Sequence, residues 1–325
     1  MIDAAIVGLG RWGRALVESV QGKSARLRFV LGVEPDAAAV REFAAQHRFG
    51  FAAGLAQVLP DRSVAAVVLA TPHSLHLEQV VAAARAGKHV FCEKPLALTL
   101  ADAEQMVAAC AAAGVTLAVG HNRRWWPAMR ELGRLAAAGA FGTLLHIEGH
   151  NSNENSNSVL AGWRISPEES PGGGMTGAGL HVLDTFVSLL GPVRQVQADL
   201  IQRKTDPPPW DTVSAIYRFG DGVSGVLATV RATPFYWRIH LFGSAGSAEA
   251  LGETEVTVRT SARTVGVSHA PADSLRAELE AFADGVERRR SFPISTRAML
   301  ATVQALEATL ASMRSGRPVA PGGPS

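Results

Sequence analysis

The sequence has little of several features that mark special classes of protein. It has only two cysteines, Cys92 and Cys110, among 325 residues, which is too few for a disulfide framework or a cysteine metal cluster. No apolar run approaches the roughly 18 residues that a membrane-spanning helix needs. The formal net charge is only +2, so nothing attracts the chain generally to nucleic acid or to an anionic membrane. We therefore expect a small-molecule substrate, no metal, and no nucleic-acid or membrane partner.

The first residues also lack the basic and apolar segments of a secretory signal, so we expect a cytoplasmic protein. What remains is an ordinary globular composition, 47% hydrophobic and 18% charged. A chain of this length is expected to form about two domains.

The most informative motif lies near the start of the chain. The apolar segment 4–7 leads into Gly8-x-Gly10-x-x-Gly13 and then into a helical stretch. Here Gly8 allows a tight turn, Gly10 lets the backbone approach a pyrophosphate, and Gly13 lets helix and strand pack closely. Glu34 follows about 20 residues on, where a carboxylate can accept ribose hydroxyls. The pattern predicts a dinucleotide site that prefers NAD, with NADP as the alternative. The competing interpretation is a glycine-rich turn that binds nothing.

The first half of the chain alternates strand and helix. Its continuous apolar runs are typical of buried parallel strands, and they lie at residues 4–7, 28–33, 64–70, 88–92 and 115–119. Alanine-rich amphipathic stretches separate them at 14–21, 36–46, 74–86 and 100–113. This alternation predicts a doubly wound parallel Rossmann sheet in an α/β domain over residues 1–121.

The second half of the chain has a different pattern of predicted strands and helices. Strand-like runs separated by polar or glycine-rich turns favour antiparallel pairing, and they lie at 143–149, 193–201, 212–219, 223–231, 236–243 and 254–259. Helices are predicted near 127–138, 181–190, 273–287 and 296–313. We expect an α+β domain built on a mostly antiparallel open sheet over residues 122–315. The Pro- and Gly-rich residues 316–325 are predicted to be a disordered tail.

Two polar segments of the second half are candidates for substrate contact. The tract from His150 to Ser158 is dense in Asn and Ser, and it is either a surface loop or a loop that meets the hydroxyls of a polar substrate. The segment from Gly172 to His181 places several glycines before a helix, which allows a close backbone approach. It puts His181 at the start of that helix, where a histidine is well placed for proton transfer.

Several spaced motifs together resemble the glucose–fructose oxidoreductase, inositol dehydrogenase and rhizopine-catabolism (Gfo/Idh/MocA) family over about residues 2–315. They are Ala70-Thr71-Pro72 with His76, the stretch 86–95 ending in Glu93-Lys94-Pro95, the stretch 120–124, Trp163-Arg164, the glycine run before His181-x-x-Asp184, and the glycine turn 242–246. The resemblance implies an NAD(P)-dependent dehydrogenase. Such an enzyme transfers hydride between nicotinamide and a secondary alcohol or ketone of a sugar, polyol, sugar acid or related cyclic diol.

The resemblance also implies roles for particular residues. Lys94 would bind the reacting oxygen and His181 would move the proton, so both are predicted to be catalytic. The predicted cofactor-binding residues are Gly8, Leu9, Gly10, Arg11, Trp12, Gly13, Glu34, Ala70, Thr71, Pro72, His76, Glu93, Lys94 and Asn122. The predicted substrate-binding residues are Lys94, Arg123, Trp163, Arg164, Gly177, His181 and Asp184. Family members commonly have a cis bond before the proline of Glu-Lys-Pro, and they usually form homodimers or homotetramers through the C-terminal sheet.

One position departs from the family pattern. Polyol dehydrogenases of the family usually carry Asp-x-Gly-x-His where this sequence has Gly177-Ala-Gly179-Leu-His181. This departure leaves two kinds of explanation open. In the first, the substrate is larger, or it carries its own acid group that Arg123, Arg124 or Arg164 would bind. In the second, another carboxylate such as Asp184 takes the role of the missing aspartate. A nicotinamide-binding sensor or regulatory protein without turnover is the alternative function. A transient-redox enzyme that retains its NAD is a further alternative.

Overall fold

The computed structural model describes residues 1–154, 162–203 and 211–322. The strands are β1 (Ile2–Val7), β2 (Leu27–Val33), β3 (Gly50–Ala52), β4 (Ala66–Leu69), β5 (His89–Glu93), β6 (Leu117–Gly120), β7 (Leu144–Ser152), β8 (Val193–Ile201), β9 (Thr212–Phe219), β10 (Ser224–Val230), β11 (Tyr236–Gly243), β12 (Gly246–Leu251), β13 (Glu255–Arg259) and β14 (Thr264–Ser268). The helices are α1 (Arg11–Val20), α2 (Ala37–His47), α3 (Leu55–Val58), α4 (His76–Arg85), α5 (Leu100–Ala113), α6 (Pro127–Ala137), α7 (Leu180–Leu190), α8 (Ser274–Val286) and α9 (Thr296–Ser315).

The chain divides into two compact units. Unit 1 is Met1–Asn122 with Asp273–Met299, and unit 2 is Arg123–Ala272 with Leu300–Ser325. The sequence places the segment 273–299 in the second domain, whereas the structure places it in unit 1. Helix α8 shows why, because Leu279, Phe282 and Ala283 are fully buried in the unit 1 core. The periodicity of a helix predicts that one face is buried, but it does not identify the core that buries it.

Unit 1 has the predicted parallel sheet. Its strand order is β3-β2-β1-β4-β5-β6, the order of a doubly wound dinucleotide-binding fold. All four residues of β4 are buried, as expected for a parallel strand covered on both faces. Helix α5 begins at a side-chain cap, where the Asp102 N–H donates to Thr99 Oγ1 at 3.2 Å, and it ends at Gly114 in a left-handed conformation.

Two short elements of unit 1 were not expected from the sequence. Strand β3 has three residues and helix α3 has four, too few to show a hydrophobic period. The strand exists because β2 supplies its hydrogen-bonding edge, with Gly32 opposite Phe51.

Unit 2 has an eight-stranded sheet in the order β14-β13-β12-β11-β7-β10-β9-β8. Its neighbours pair antiparallel except β7 and β10, which run parallel. Helix α7 lies close against the sheet at Gly149, where an added Cβ would overlap Val182 and come 2.8 Å from Phe186. Trp237, Tyr217 and Phe186 are among the largest fully buried side chains of this core. The expected mostly antiparallel sheet is confirmed.

Other parts of unit 2 differ from the sequence-based expectation. Strands β12 and β14 were not predicted, and every residue of β14 is exposed, so no hydrophobic alternation marks it. Residues 316–322 of the expected disordered tail are described, and Val319 forms a two-way backbone bridge with Val196 at 2.8 and 2.9 Å. Residues 323–325 lie outside the described residues. Among the described helices, none is both long and apolar enough to cross a membrane.

Candidate active site

The glycine loop of unit 1 is shaped by close backbone contacts. Gly8 has φ +90°, and a Cβ there would lie 2.8 Å from the Ala70 carbonyl oxygen. A Cβ on Gly13 would overlap the Gly8 carbonyl oxygen, whereas one on Gly10 would meet nothing within 4 Å. Gly8 and Gly13 therefore allow strand and helix to approach, and Gly10 leaves open space beside the loop.

Helix α1 starts at this loop and offers a site for an anion. Its N-cap is Gly10, no described side chain caps it, and its first turn holds no acidic residue. The backbone N–H groups around exposed Arg11 and half-buried Trp12 therefore carry the positive end of the helix dipole without a side-chain counterpart. Such an end binds phosphate groups well.

Glu34 follows β2 and reaches back to the same loop. Its Oε2 accepts a hydrogen bond from the Leu9 N–H at 3.0 Å, and the Leu9 carbonyl accepts one from Arg14 Nε at 3.0 Å. The carboxylate is thus held beside the loop, where it can accept the two hydroxyls of a ribose. A 2′-phosphate at that position would meet like charge. Together with the open N-terminus of α1, this arrangement fits a dinucleotide.

The other predicted cofactor residues follow neighbouring strands of the same sheet. Ala70-Thr71-Pro72 follow β4, Lys94 follows β5 and Asn122 follows β6. The carboxyl ends of parallel strands share one edge, where ligands of this fold bind. Asn122 is held within unit 1 by a 3.2 Å hydrogen bond from its Nδ2 to Ser274 Oγ.

His76 joins two of these segments. It is fully buried, with Nδ1 3.0 Å from the Pro95 carbonyl oxygen and Nε2 3.2 Å from that of Thr71. The Lys94–Pro95 bond is cis. Through these contacts His76 holds the loop after β4 against the loop after β5, which carries Lys94.

Glu93 is a buried carboxyl group at the end of β5. Burial raises its pKa to about 7, while hydrogen bonding from Trp12 and the charge of Lys94 act in the opposite direction. Its Oε2 accepts a hydrogen bond from the Lys94 N–H at 3.2 Å. A Cβ on Gly120 would lie 2.6 Å from Glu93 Oε1, so the glycine makes room for the carboxyl group.

The predicted base, His181, belongs to unit 2, whereas Lys94 belongs to unit 1. His181 lies in the first turn of α7 and is 7% exposed. The expected glycine-rich approach to this helix is a π-helix, Met175–Gly179. Within it, a Cβ on Gly177 would meet nothing within 4 Å. At the position where the family pattern has aspartate, the described residues therefore leave room for a side chain.

Asp184 is held by Arg124. Arg124 Nε and Nη2 donate to the two carboxylate oxygens, each at 2.7 Å, and Thr302 Oγ1 lies 3.4 Å from Asp184 Oδ1. Burial alone would lower the pKa of Arg124, but the charge and hydrogen bonds of Asp184 outweigh it and the pKa is raised. In this structure Arg124 and Asp184 neutralise each other.

The two other predicted arginines contact aromatic rings. The Arg123 guanidinium carbon lies 4.3 Å from the Trp126 ring centre, 4.5 Å from that of Trp237 and 5.6 Å from that of Phe235. Burial lowers the pKa of Arg123 to about 9, opposed by the charge of Glu253.

The Arg164 guanidinium carbon lies 4.2 Å from the ring centre of its sequence neighbour Trp163. Both residues are half-buried. Their contact is thus local in sequence.

Sequence reasoning did not single out Thr229 and Arg231, which are buried in unit 2 at 0% and 4% exposed, and it named Asn151, 1% exposed, only as part of the tract from His150 to Ser158. Asn151 lies in the Asn- and Ser-rich tract, whose first residues belong to β7 rather than to a loop. The rest of that tract, residues 155–158, lies outside the described residues. A signal for Arg231 exists in the sequence, since it continues the alternate residues Leu227 and Thr229 of a buried strand face.

A glycine loop of this geometry on a parallel sheet of this order defines a dinucleotide-binding protein of the Rossmann type. Residues 2–121 match the model of the oxidoreductase family with an NAD-binding Rossmann fold, and residues 129–249 match that of the GFO/IDH/MocA C-terminal domain. The chain therefore belongs to the Gfo/Idh/MocA family, and the resemblance inferred from the motifs is confirmed.

Three similar proteins illustrate the range of the family. The chain is 31% identical over 194 residues to 2,7-anhydro-N-acetylneuraminate hydratase of Escherichia coli, covering 59% of this chain and 50% of the relative. It is 32% identical over 209 residues to myo-inositol 2-dehydrogenase of Thermotoga maritima, covering 62% and 61%. The chain thus spans between half and two thirds of these relatives. A solved structure described as a candidate NADPH-dependent oxidoreductase of Desulfitobacterium hafniense has a TM-score of 0.90 at 26% identity, covering 98% of this chain and 97% of that one.

Proposed function

We propose that the protein is an NAD(P)-dependent oxidoreductase that acts on a secondary alcohol or ketone of a sugar, polyol, sugar acid or related cyclic diol. The observation that supports this most is the glycine loop with Glu34 hydrogen-bonded to it, in the same unit as Lys94 and buried Glu93. The relatives' names support the substrate class, because one is a myo-inositol dehydrogenase and another is named for an anhydro sugar acid.

The residues that would hold the cofactor follow from the contacts in unit 1. Backbone N–H groups at the start of α1 would bind the pyrophosphate, and Glu34 would accept the adenosine ribose hydroxyls. When bound, nicotinamide supplies an acceptor for hydride. The like-charge argument at Glu34 favours NAD over NADP.

Lys94 and His181 would handle the oxygen and its proton. As the carbon loses hydride, the hydroxyl proton would pass to His181, because histidine is a residue type suited to proton transfer near neutral pH. The Lys94 ammonium would donate a hydrogen bond to the same oxygen and stabilise its developing negative charge.

Asp184 has a different role in this proposal. Since both of its carboxylate oxygens accept from Arg124, it serves to hold α7, one turn beyond His181, rather than to replace the aspartate missing at Gly177. It is a positioning residue, and its loss is expected to lower the stability of unit 2.

The test follows the absorbance of NADH when purified protein is mixed with NAD and a panel of polyols, sugars, sugar acids and cyclic diols. Steady NADH formation with one class supports the proposal, and Lys94→Met should abolish it while Lys23→Met, the same change at an exposed lysine, should not. Consumption of a compound without net NADH would instead indicate retained cofactor, an outcome worth measuring because one relative is named a hydratase. NAD binding with no consumption of any compound would favour the sensor.

Self-association through the unit 2 sheet is a further part of the proposal. Ile216 and Val226 pair across β9 and β10 and are 57% and 42% exposed. Light scattering coupled to size-exclusion chromatography should give a dimer or tetramer, and Ile216→Glu should shift it toward monomer. A monomeric wild-type protein at micromolar concentration would contradict this part.

A further inference from the structure

We propose that unit 2 contains a binding subsite for an anionic group, formed by Arg231 with Thr229 and Asn151, and that the substrate is a polyhydroxy acid whose carboxylate binds Arg231. This inference rests on the proposed function and narrows its substrate class. Of its three residues, only Asn151 lies in a segment that the sequence marks as a candidate for substrate contact.

The three residues lie together where two parallel strands end. Thr229 on β10 is the register partner of Asn151 on β7, and Arg231 directly follows β10. Because β7 and β10 run parallel, their carboxyl ends meet at the same edge of the sheet. The residues thus form one cluster on that edge.

The segment Gly174–Gly179 lies against this cluster. A Cβ on Gly174 would be 3.2 Å from Arg231 Cγ and 3.4 Å from Thr229 Oγ1. Asn151 Nδ2 donates to the Ala178 carbonyl oxygen at 2.9 Å. Gly177 belongs to the same segment, and an added Cβ there would meet no atom of the described residues within 4 Å.

Each residue has a buried polar atom that lacks a hydrogen bond among the described residues: Arg231 Nε, Thr229 Oγ1 and Asn151 Oδ1. Buried polar atoms are nearly always paired, since leaving one unpaired is destabilising. The three atoms have complementary chemistry. Arg231 Nε–H is a donor that suits a carboxylate, Asn151 Oδ1 is an acceptor that suits a hydroxyl, and the Thr229 hydroxyl can do either.

Arg231 also brings charge. Burial lowers its pKa to about 10, so the guanidinium stays protonated at neutral pH. No carboxylate of the described residues forms an ion pair with it. The acid closest to it in the backbone network, Asp211, accepts from the Arg203 N–H and the Thr212 hydroxyl at 2.9 and 2.8 Å, and the Arg231 N–H donates to the Asp211 carbonyl oxygen. A buried cation needs a counter-charge, and a carboxylate on the substrate supplies it.

The other arginines are less suited to this role. Arg124 is neutralised by Asp184, and Arg123 lies over aromatic rings, with the charge of Glu253 also acting on it. Arg231 differs from these two arginines in that its unpaired Nε lies in one cluster with the unpaired Thr229 Oγ1 and Asn151 Oδ1.

The test compares acids with neutral compounds of the same skeleton. Calorimetry in the presence of NAD would measure binding of glucuronate, galacturonate, gluconate and N-acetylneuraminate, with glucose, galactose and sorbitol as the neutral counterparts of the first three. At least one hexose-derived acid should bind about thirtyfold or more tightly than its counterpart, the scale on which buried charge pairs act. If none of the acids binds more tightly than its counterpart, the proposal is wrong.

Variants of the protein show whether Arg231 causes the preference for the acid. Arg231→Gln should remove the preference for the acid, Arg231→Lys should keep part of it, and Arg194→Gln, the same change at an exposed arginine of unit 2, should keep all of it. An acid preference unchanged in Arg231→Gln would overturn the assignment. The wild-type comparison stands even if that variant fails to fold.

Turnover is measured separately, so that the two proposals can fail independently. Acid binding that depends on Arg231, with neither NADH formation nor consumption of any compound, supports the subsite and contradicts the oxidoreductase function. NADH formation from neutral polyols alone supports the function and contradicts the subsite.

Discussion

The ion pair of Arg124 and Asp184 leads to a quantitative prediction for Asp184→Asn. The pair makes two hydrogen bonds of 2.7 Å, and its side chains are 16% and 3% exposed. The change keeps the shape of the side chain but removes its charge. It leaves the Arg124 guanidinium buried without a counter-charge.

The expected loss in the free energy of unfolding of Asp184→Asn is large compared with the total stability of a domain. Removing one partner of a buried ion pair costs about 3–5 kcal/mol, whereas most domains are stable by about 5–15 kcal/mol in all. For a unit of this size, each kcal/mol moves the unfolding midpoint by roughly 2–4 °C. The transition of unit 2 should therefore move down by about 6–20 °C.

Differential scanning calorimetry at neutral pH measures this shift. The matched control is Glu131→Gln, which removes the charge from a pair whose arginine, Arg134, is 64% exposed. That pair is screened by water, so its loss should change the midpoint little. A fall for Asp184→Asn no larger than that for Glu131→Gln would refute the reasoning.

A second substitution tests the cause of the loss. If the buried charge of Arg124 is responsible, Arg124→Met in the Asp184→Asn background should recover part of the lost stability, because no uncompensated charge is left. If the double variant is less stable than Asp184→Asn by the full effect of Arg124→Met alone, the two side chains act independently. The ion pair would then not explain the loss.

Four further predictions concern the choice of cofactor, catalysis, the pH dependence of stability and the charge of the substrate. Glu34→Ala should narrow the preference for NAD over NADP, measured as the ratio of dissociation constants, and a wild type that binds NADP as tightly as NAD would contradict the role of the carboxylate. Lys94→Met and His181→Ala should lower kcat/KM by about a hundredfold or more with NAD binding nearly unchanged; a loss under about tenfold for His181→Ala would exclude that residue as the base. The pKa of Glu93 is raised to about 7 by burial, so its contribution to stability is largest below the unfolded value of 4.5 and falls as pH rises toward about 7. Without cofactor, the free energy of unfolding of Glu93→Gln should therefore depend less on pH between 4.5 and about 7 than that of the wild type. An equal pH dependence of the two proteins would contradict a raised pKa of Glu93. Gly177→Asp should raise KM for an acidic substrate through like-charge repulsion, whereas improved turnover of a neutral polyol would argue against an acid.

The cofactor side of the molecule could be predicted from sequence because its signals are local. The glycines of the loop, the cap at Thr99 and the apolar runs of β1, β4 and β5 each act within a few residues of chain. Glu34 is the exception, since its hydrogen bond to Leu9 joins residues 25 apart. It was predictable because the length of one strand–helix–strand unit determines that spacing.

The unit 2 cluster depends on information that the sequence does not carry. Thr229 and Asn151 are 78 residues apart in the chain, and they become neighbours only through the parallel pairing of β7 with β10. The turns of the second half favour antiparallel hairpins between successive strands, and this pair is not one of them. An arginine at the end of a strand is also ordinarily exposed. Strand alternation puts Arg231 on the same face as Leu227 and Thr229, but only its burial in the structure, 4% exposed, shows that this face is still covered at the end of the strand.

Position 177 and position 231 bear on the substrate in the same direction. The family pattern leads one to expect a carboxylate at 177, and its replacement by glycine removes a negative charge that would repel an acid. The buried guanidinium of Arg231, 4% exposed, adds a positive charge that attracts one. Each feature alone is compatible with an uncharged substrate, since glycine also makes room for a bulkier polyol and arginine also packs through its apolar stem. Gly177 belongs to the segment Gly174–Gly179 and Arg231 lies beside it. An acidic substrate accounts for the two features together, whereas a neutral polyol leaves the buried charge without a partner.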